Sequence, residues 1–377
     1  MQTHISRLSS FGYKKIIKPL LFLQKPDGVH NRLIKTGSVM QKIAPARGLT
    51  RAVWRYDNES YLAQEVCGIR FKNPVGLSAG FDKNFELPPM LNAIGFGYME
   101  GGSVTFHQCD GNPRPWFYRL PKTKSLVVYA GLANQGVVRI TERIKSYKSR
   151  QLRDFPLNIS VAKTNSKEAA TEAEAINDYL GSLKHLQKQG VGDMYTLNIS
   201  CPNTYGGEPF TTPEKLERLL KKVDDLKLRV PVFIKMPSNL PWAEFKKLLD
   251  VAAKHAIDGV TICNLAKDRT KVALKDPLPD SVPGNLSGKA TWDLSNELIK
   301  KTYKAYGKRF VIIGVGGIFS AEDAYTKFKL GATMVELITG MIFEGPALIG
   351  QINKGLVELL KKDGYAHISE AVGTTSA

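Results

Sequence analysis

Met194-Tyr195-Thr196-Leu197-Asn198-Ile199-Ser200-Cys201-Pro202-Asn203-Thr204-Tyr205-Gly206-Gly207 starts as an apolar, β-prone run and breaks abruptly into turn residues. Cys201 falls just past the run, between Asn198 and Asn203, and Pro202 stiffens the exit. A lone cysteine in such a turn is usually a small buried hydrophobe. Its setting decides whether it is more than that, and the rest of the chain supplies the setting.

Working outward, similar runs fall at 74–79, 96–104, 157–162, 231–236, 258–263, 310–314 and 333–338, which makes eight with 194–199. Helix-like stretches follow most of them, at 167–189, 212–228, 241–256, 291–306 and 320–330. The last opens with Ser320-x-x-Asp323, resembling a capping box. Strands alternating with helices predict a parallel sheet. Eight units over about 300 residues predict a (β/α)8 TIM barrel, an α/β fold. A doubly wound sheet would carry a glycine fingerprint after its first strand, and that strand ends in Gly80-Phe81-Asp82-Lys83 instead. Two long connections, 105–132 and 264–290, have the length of lids or binding loops.

The chain has 377 residues, 43% hydrophobic and 23% charged, which is a globular composition. Its four cysteines form no C-x-x-C pair and no regular framework, which points to free thiols in a reducing compartment. His107 and Cys109 alone make a weak metal signal, so no metal site is expected. The net charge is +18, and residues 1–60 hold eleven Lys/Arg against three Asp/Glu, or +8. No nucleic-acid motif accompanies this basic excess, and no nucleic-acid partner is expected. Ile16-Ile17-Lys18-Pro19-Leu20-Leu21-Phe22-Leu23 mixes apolar and basic residues but is far too short to span a bilayer. It suits a helix lying on a membrane surface, or one packed on the body with a solvated basic face. Residues 1–44 read as two helical pieces broken around Gln24–Gly28, and 45–61 as a linker. Cys67–Lys72 fits a short strand or hairpin under the barrel.

In a barrel the strand ends share one mouth. There the sequence places Ser78, Ala79, Gly80 and Lys83; Gly102 and Ser103; Ser160 and Lys163; Asn198, Cys201 and Asn203; Lys235; Asn264; Gly314-Val315-Gly316-Gly317; and Thr339-Gly340. Glycine turns after the seventh and eighth strands, with the helix start at Ser320, suit a phosphate group. Lys235 inside an apolar strand needs an anion, either a carboxylate of the protein or negative charge on a bound cofactor. Lys83 suits an anionic substrate, and the three asparagines suit an amide-rich ring.

From about residue 20 to 355 the chain resembles the dihydroorotate dehydrogenases. The resemblance rests on NPVGLSAGFDKN (73–84), GFGYMEGGSVT (95–105), GNPRPWFYRLP (111–121), LNISCPNTYGG (197–207), FIKM (233–236), DGVTICN (258–264), NLSGKA (285–290), IIGVGGI (312–318) and TGMIFEGPALI (339–349). FLQKPDGVH (22–30) is similar to the extension of the membrane-associated, quinone-using class. There a helical pair docks on the membrane and forms a tunnel toward the flavin.

The resemblance implies an FMN enzyme that oxidises dihydroorotate to orotate in pyrimidine biosynthesis, passing electrons to a quinone. Cys201 falls at the general base. Lys83, Asn198, Asn203 and Asn264 fall on the substrate. Ala79, Gly80, Lys83, Ser103, Ser160, Asn198, Lys235, Cys263, Gly288, Gly316, Gly317, Thr339 and Gly340 fall around FMN. It also implies a helical extension and linker over 1–60, a barrel over 61–365 and a disordered tail over 366–377. The protein would be peripheral to a membrane on its cytoplasmic side.

The sequence departs from the family pattern in places. Serine is usual at the base of the quinone class, and cysteine in the soluble class. Free cysteine has a pKa near 8.5, so a thiol is partly ionised near neutral pH. Val128 replaces an expected asparagine, Leu265 an expected threonine or serine, and Ser160 an expected asparagine. A site built on hydrogen bonds discriminates by leaving mismatched groups unpaired. Either nearby groups such as Asn134 compensate, or the substrate is a different cyclic compound. A soluble electron acceptor and a non-catalytic flavin-binding protein are the further alternatives.

Overall fold

The computed structural model describes residues 2–205, 207, 208 and 210–375. Eight parallel strands close a barrel: β1 (Val75–Leu77), β2 (Tyr98–Val104), β3 (Leu157–Val161), β4 (Met194–Asn198), β5 (Val232–Lys235), β6 (Gly259–Ile262), β7 (Val311–Val315) and β8 (Met334–Leu337). They pair in chain order, and β8 closes on β1 with Val335 opposite Val75 and Glu336 opposite Gly76. Each lies on one of the runs the sequence singles out.

Side chains alternate across a strand, so the two faces separate by register. Outward residues such as Val75, Leu77, Met99, Leu157 and Ile159 join one large core with the surrounding helices. Inward, Tyr98, Met194, Phe233, Ile313 and Met334 form an apolar floor, plugged by Val66 and Phe71 of the hairpin Gln64–Val66/Ile69–Phe71. The Tyr98 ring lies where a Cβ on Gly76 would stand, 2.4 Å away, so residue 76 must be glycine for the floor to close. One step up, the inward residues of six strands are polar and buried, Glu100, Asn158, Thr196, Lys235, Thr261 and Glu336, while β7 keeps the apolar Val315.

Helices Glu172–Gln189, Pro213–Asp224, Trp242–Ala252, Trp292–Tyr306 and Ala321–Lys329 occupy the expected stretches. The Glu172 helix is fixed by a Thr171–Glu174 capping box and stops at Gly190, whose φ of 62° is left-handed. Ser320 accepts a hydrogen bond from the Asp323 N–H, as its spacing predicts.

Three expectations change. Residues 45–61 are mostly not a linker: Ala44–Trp54 is a helix and Glu59–Leu62 a further helical turn. Pro45 lies in the first turn, where no helical N–H is lost. The tail expected to be disordered is packed through Thr375, with Ile368 and Ala371 buried and the Thr375 N–H on the Lys329 carbonyl at 2.9 Å; residues 376–377 lie outside the described residues. The two long connections are not simple loops. Phe117–Leu120, Ser125–Val128 and Asn285–Gly288 pair as a three-stranded antiparallel sheet.

The N-terminal segment runs as Gln2–Gly12, a π-turn Tyr13–Ile17 and Lys18–Phe22, then breaks before helix Pro26–Met40. It is clasped to the barrel at one corner. The Tyr13 hydroxyl donates to the Ile342 carbonyl at 2.7 Å, and Lys14 and Lys124 both pair with Glu344, at 3.1 and 3.0 Å. Asp27 accepts from the Trp116 N–H and pairs with Arg114 at 2.9 Å. Among the described residues, no helix is long and apolar enough to cross a membrane. Replacing Glu344 with alanine is expected to speed limited proteolysis within residues 2–22 several-fold while the urea midpoint of the barrel stays put. A matching fall in that midpoint would make the clasp part of the core.

Candidate active site

The carboxyl ends of the strands open into one cavity. Its base is lined by Ala79, Gly80, Gly102, Ser103 and Lys235, and one wall by Asn198, Cys201, Asn203, Cys263 and Asn264. Gly288, Gly316, Gly317, Thr339 and Gly340 form another side, and Lys83 belongs to the same lining. The antiparallel sheet adds Phe117, Arg119, Leu126 and Val128, and the Pro26 helix adds Pro26, Val29, His30 and Leu33. Of the residues singled out at the strand ends, Ser160, Lys163 and Gly314 are not on this lining. Lys163 Nζ donates instead to the Tyr205 carbonyl at 2.8 Å. Ser160 is fully buried behind Ser103, its Oγ 2.8 Å from the Ser103 Oγ, and so braces the wall from outside.

A chain of hydrogen bonds fixes the polar wall. Asn198 Nδ2 donates to Ser103 Oγ at 2.8 Å, and the Tyr179 hydroxyl holds the Asn198 carbonyl at 2.7 Å. Asn264 Nδ2 reaches Ser200 Oγ at 3.0 Å and Asn198 Oδ1 at 3.2 Å. Asn203 donates to the Val128 carbonyl at 3.0 Å and accepts from Asn285 Nδ2 at 2.8 Å. Asn112 Nδ2 holds the Asn203 carbonyl at 2.9 Å. Sequence reading missed Asn112, Asn285 and Ser200. All three lie inside quoted motifs, but nothing local shows that they meet the wall.

Asn134 does not make up for Val128. It is buried and committed to Thr105 Oγ1 and the Leu132 carbonyl, and it faces a neighbouring cavity. Asn285, directly opposite Val128 in the antiparallel sheet, lies off the cavity lining and holds Asn203 instead. Val128 and Leu265 both turn apolar side chains to the main cavity.

Burial acts on the titratable groups. It pushes the Cys201 thiol up to about 11, against smaller pulls from the Asn203 N–H, Lys235 and Lys163. Cys201 is therefore a neutral thiol at neutral pH, which corrects the expectation of partial ionisation. Burial lowers Lys83 to about 8, with Asp82 opposing and Arg114 assisting. The Lys83 Nζ donates to the Gly80 carbonyl at 2.9 Å and lies near the Trp116 and Phe117 rings. His30, stacked edge-on against Phe81, is lowered by burial to about 3 and is neutral.

The residues fit a phosphorylated aromatic cofactor. Gly316 and Gly317 have φ of 110° and 74°, successive left-handed residues that turn backbone N–H groups toward one concavity. A Cβ on Gly316 would stand 2.5 Å from Thr291 Oγ1 and one on Gly317 2.9 Å from Trp292, so both positions require glycine. Thr339 Oγ1 and Ser287 Oγ, 3.1 Å apart, add hydroxyls beside this turn. Lys235 supplies a buried cation at the base of the cavity.

A family model described as dihydroorotate dehydrogenase matches residues 61–360. The chain belongs to the dihydroorotate dehydrogenase family. Its members are oxidoreductases, and this chain shares that class. It is similar to a dihydroorotate dehydrogenase (quinone) of Crocosphaera subtropica, 33% identical, with 96% of this chain and 98% of that one covered. A protein of the same name from Haloarcula marismortui is 35% identical over 83% of this chain and 85% of that one. A crystal structure of DHODH from Eimeria tenella in complex with ferulenol has a TM-score of 0.82 at 25% identity, covering 93% of this chain and 95% of that one.

The opposed titrations of Cys201 and Lys83 separate by pH. If Cys201 takes a proton from substrate, the rate of that step climbs with pH without levelling below about 11, as thiolate accumulates. If Lys83 answers a substrate carboxylate, the apparent KM rises above about pH 8, as Lys83 loses its proton. Rapid-mixing kinetics across pH read both.

Proposed function

We propose that this chain is a quinone-dependent dihydroorotate dehydrogenase that holds FMN and oxidises dihydroorotate to orotate in pyrimidine biosynthesis. One observation carries the reading: Cys201, the asparagine wall, two lysines and a glycine turn suited to phosphate line a single cavity that continues to the N-terminal helices. FMN, when bound, supplies the hydride acceptor and passes electrons to the quinone.

The chain's own groups divide the remaining work. Gly316, Gly317, Thr339, Gly340 and Gly288 would hold the phosphate, while Ala79, Gly80, Ser103 and Cys263 would flank the ring. Asn198, Asn203 and Asn264 would orient the substrate amides. Lys83 would answer its carboxylate, and Cys201 Sγ would take the carbon-bound proton. Lys235 lies where it would stabilise negative charge at the ring edge.

The apolar end of the cavity supports the quinone half. Among the described residues, twelve of the sixteen exposed large hydrophobics lie within residues 5–49, including Leu8, Phe11, Leu20 and Leu23. With the basic residues of the same segment, they form a surface suited to the interface of an anionic bilayer. Pro26, Val29 and Leu33 lead inward from it toward the ring site.

A second reading keeps the cofactor and changes the substrate. Val128 and Leu265 line the cavity with apolar groups where the family pattern has polar ones, which favours a less polar cyclic compound. A Leu265→Thr variant separates the two. A several-fold fall in KM for dihydroorotate supports the second reading, and an unchanged or raised KM supports the first.

Replacing Cys201 with alanine should leave flavin bound and slow its reduction by about a hundredfold or more, the scale of a lost general base. Unaltered reduction in that variant would remove Cys201 from the mechanism. Changing Leu8, Phe11 and Leu20 together to aspartate should abolish sedimentation with anionic liposomes and leave reduction by substrate intact. Liposome binding that survives would place the membrane contact elsewhere.

A further inference from the structure

The polar layer between the apolar floor and the cavity contains a charge imbalance that the reaction does not use. Glu100 on β2 and Glu336 on β8 are both fully buried, and Lys235 on β5 is nearly so. Lys235 Nζ lies 3.4 Å from Glu100 Oε2 and 3.3 Å from Ser78 Oγ. Glu100 Oε1 and both Glu336 oxygens lack a well-formed hydrogen bond among the described residues, while Glu100 and the Ser78 and Tyr98 hydroxyls lie close enough to Glu336 to act on it.

The surrounding strands bring no second cation to the layer. Ser78 comes from β1, Tyr98 from β2, Asn158 and Ser160 from β3, and Thr196 from β4. Thr261 and Cys263 come from β6 and its end. The Tyr98 hydroxyl is directed to the Val335 carbonyl at 3.4 Å. Lys327 is occupied by Ser295 Oγ and Asn296 Oδ1, both at 2.9 Å.

Two buried carboxylates facing one lysine cannot both ionise cheaply. Full ionisation would leave a net negative charge in a dry interior, with the two carboxylates repelling each other across it. One proton held by the two carboxyls removes the excess charge and turns that repulsion into a hydrogen bond. We propose that Glu100 and Glu336 hold a single proton between them, an acid pair that presents one negative charge to Lys235. Burial, and then the charge of Glu100, raise Glu336 well above the usual carboxylate range, with Lys235 opposing.

The consequence for the reaction rests on the flavin reading. Lys235 faces the ring cavity, so the proton on the pair sets how much positive field the ring meets. Loss of that proton at alkaline pH adds a buried negative charge and disfavours reduction. When reduction begins from the ionised pair, one proton passes from solvent to a carboxylate oxygen. The pair acts through Lys235 and touches no substrate, so Glu100 and Glu336 are positioning residues.

Infrared spectra of the purified protein test the pair directly. At slightly alkaline pH Asp82, raised by burial to about 6, is ionised and does not interfere. The wild type should show the carbonyl stretch of a protonated carboxylic acid, shifted in heavy water. Glu336→Gln should lose it. Glu100→Gln should lose it too, because Glu336 alone then pairs with Lys235 and ionises. A band that survives in Glu336→Gln overturns the proposal. So does one that survives in Glu100→Gln, since Glu336 would then be neutral through burial alone. If Glu100→Gln does not fold, the Glu336→Gln spectrum decides.

In flavin-loaded protein, Glu336→Gln should match the wild-type reduction potential near neutral pH and fall less steeply in the alkaline range. Equal slopes throughout would overturn the link to the ring. A protein that binds no flavin would defeat the flavin reading and leave the infrared result standing.

Discussion

The structure depends on how the barrel accommodates a charge at its centre. Lys235 carries an ammonium to the inward face of β5, above Tyr98, Phe233 and Met334 and below the open cavity. A buried, unpaired cation would lose its proton or open the barrel. The ion pair with Glu100 and the contact with Ser78 hold it in place. The apolar floor, closed by its own hairpin, keeps water from below, so the lysine is open to partners only from the cavity. The layers therefore run from apolar plug to charged layer to open cavity.

Above Lys235 the site is rigid because its amides bond to one another. Asn198, Asn264, Ser200 and Ser103 form one connected set, and Asn203 is held separately between Val128, Asn285 and Asn112. Such networks preorganise a site when every member is satisfied. They also explain how a chain with Val128 in place of a polar residue keeps Asn203 fixed, through the Val128 carbonyl and the Asn285 side chain.

Much of the fold was legible because parallel barrel strands, buried on both faces, read as continuous apolar runs. All eight were visible that way, and the strand ends named the mouth. What escaped depends on partners distant in sequence. Asn285 gains its meaning only by pairing opposite Val128, and the two long connections look like loops until they pair. Ser160 ends a strand like its neighbours, yet Ser103 stands between it and the cavity. The Ala44–Trp54 helix was hidden by Pro45 and Gly48, which read as breakers although a proline in the first turn is no obstacle. The Cys201 thiol looked partly ionised because sequence carries no measure of burial. Glu100 and Glu336 drew no attention because each is one acidic residue in an apolar strand, and only barrel closure sets them against the same lysine.

If the cavity brings a flavin, a cyclic amide substrate and the Cys201 thiol together, anaerobic rapid mixing of flavin-loaded protein with dihydroorotate bleaches the flavin's visible absorbance promptly. The absorbance then stays bleached until a quinone is added. Flavin that remains oxidised with dihydroorotate, yet is reduced by dithionite, would contradict that arrangement.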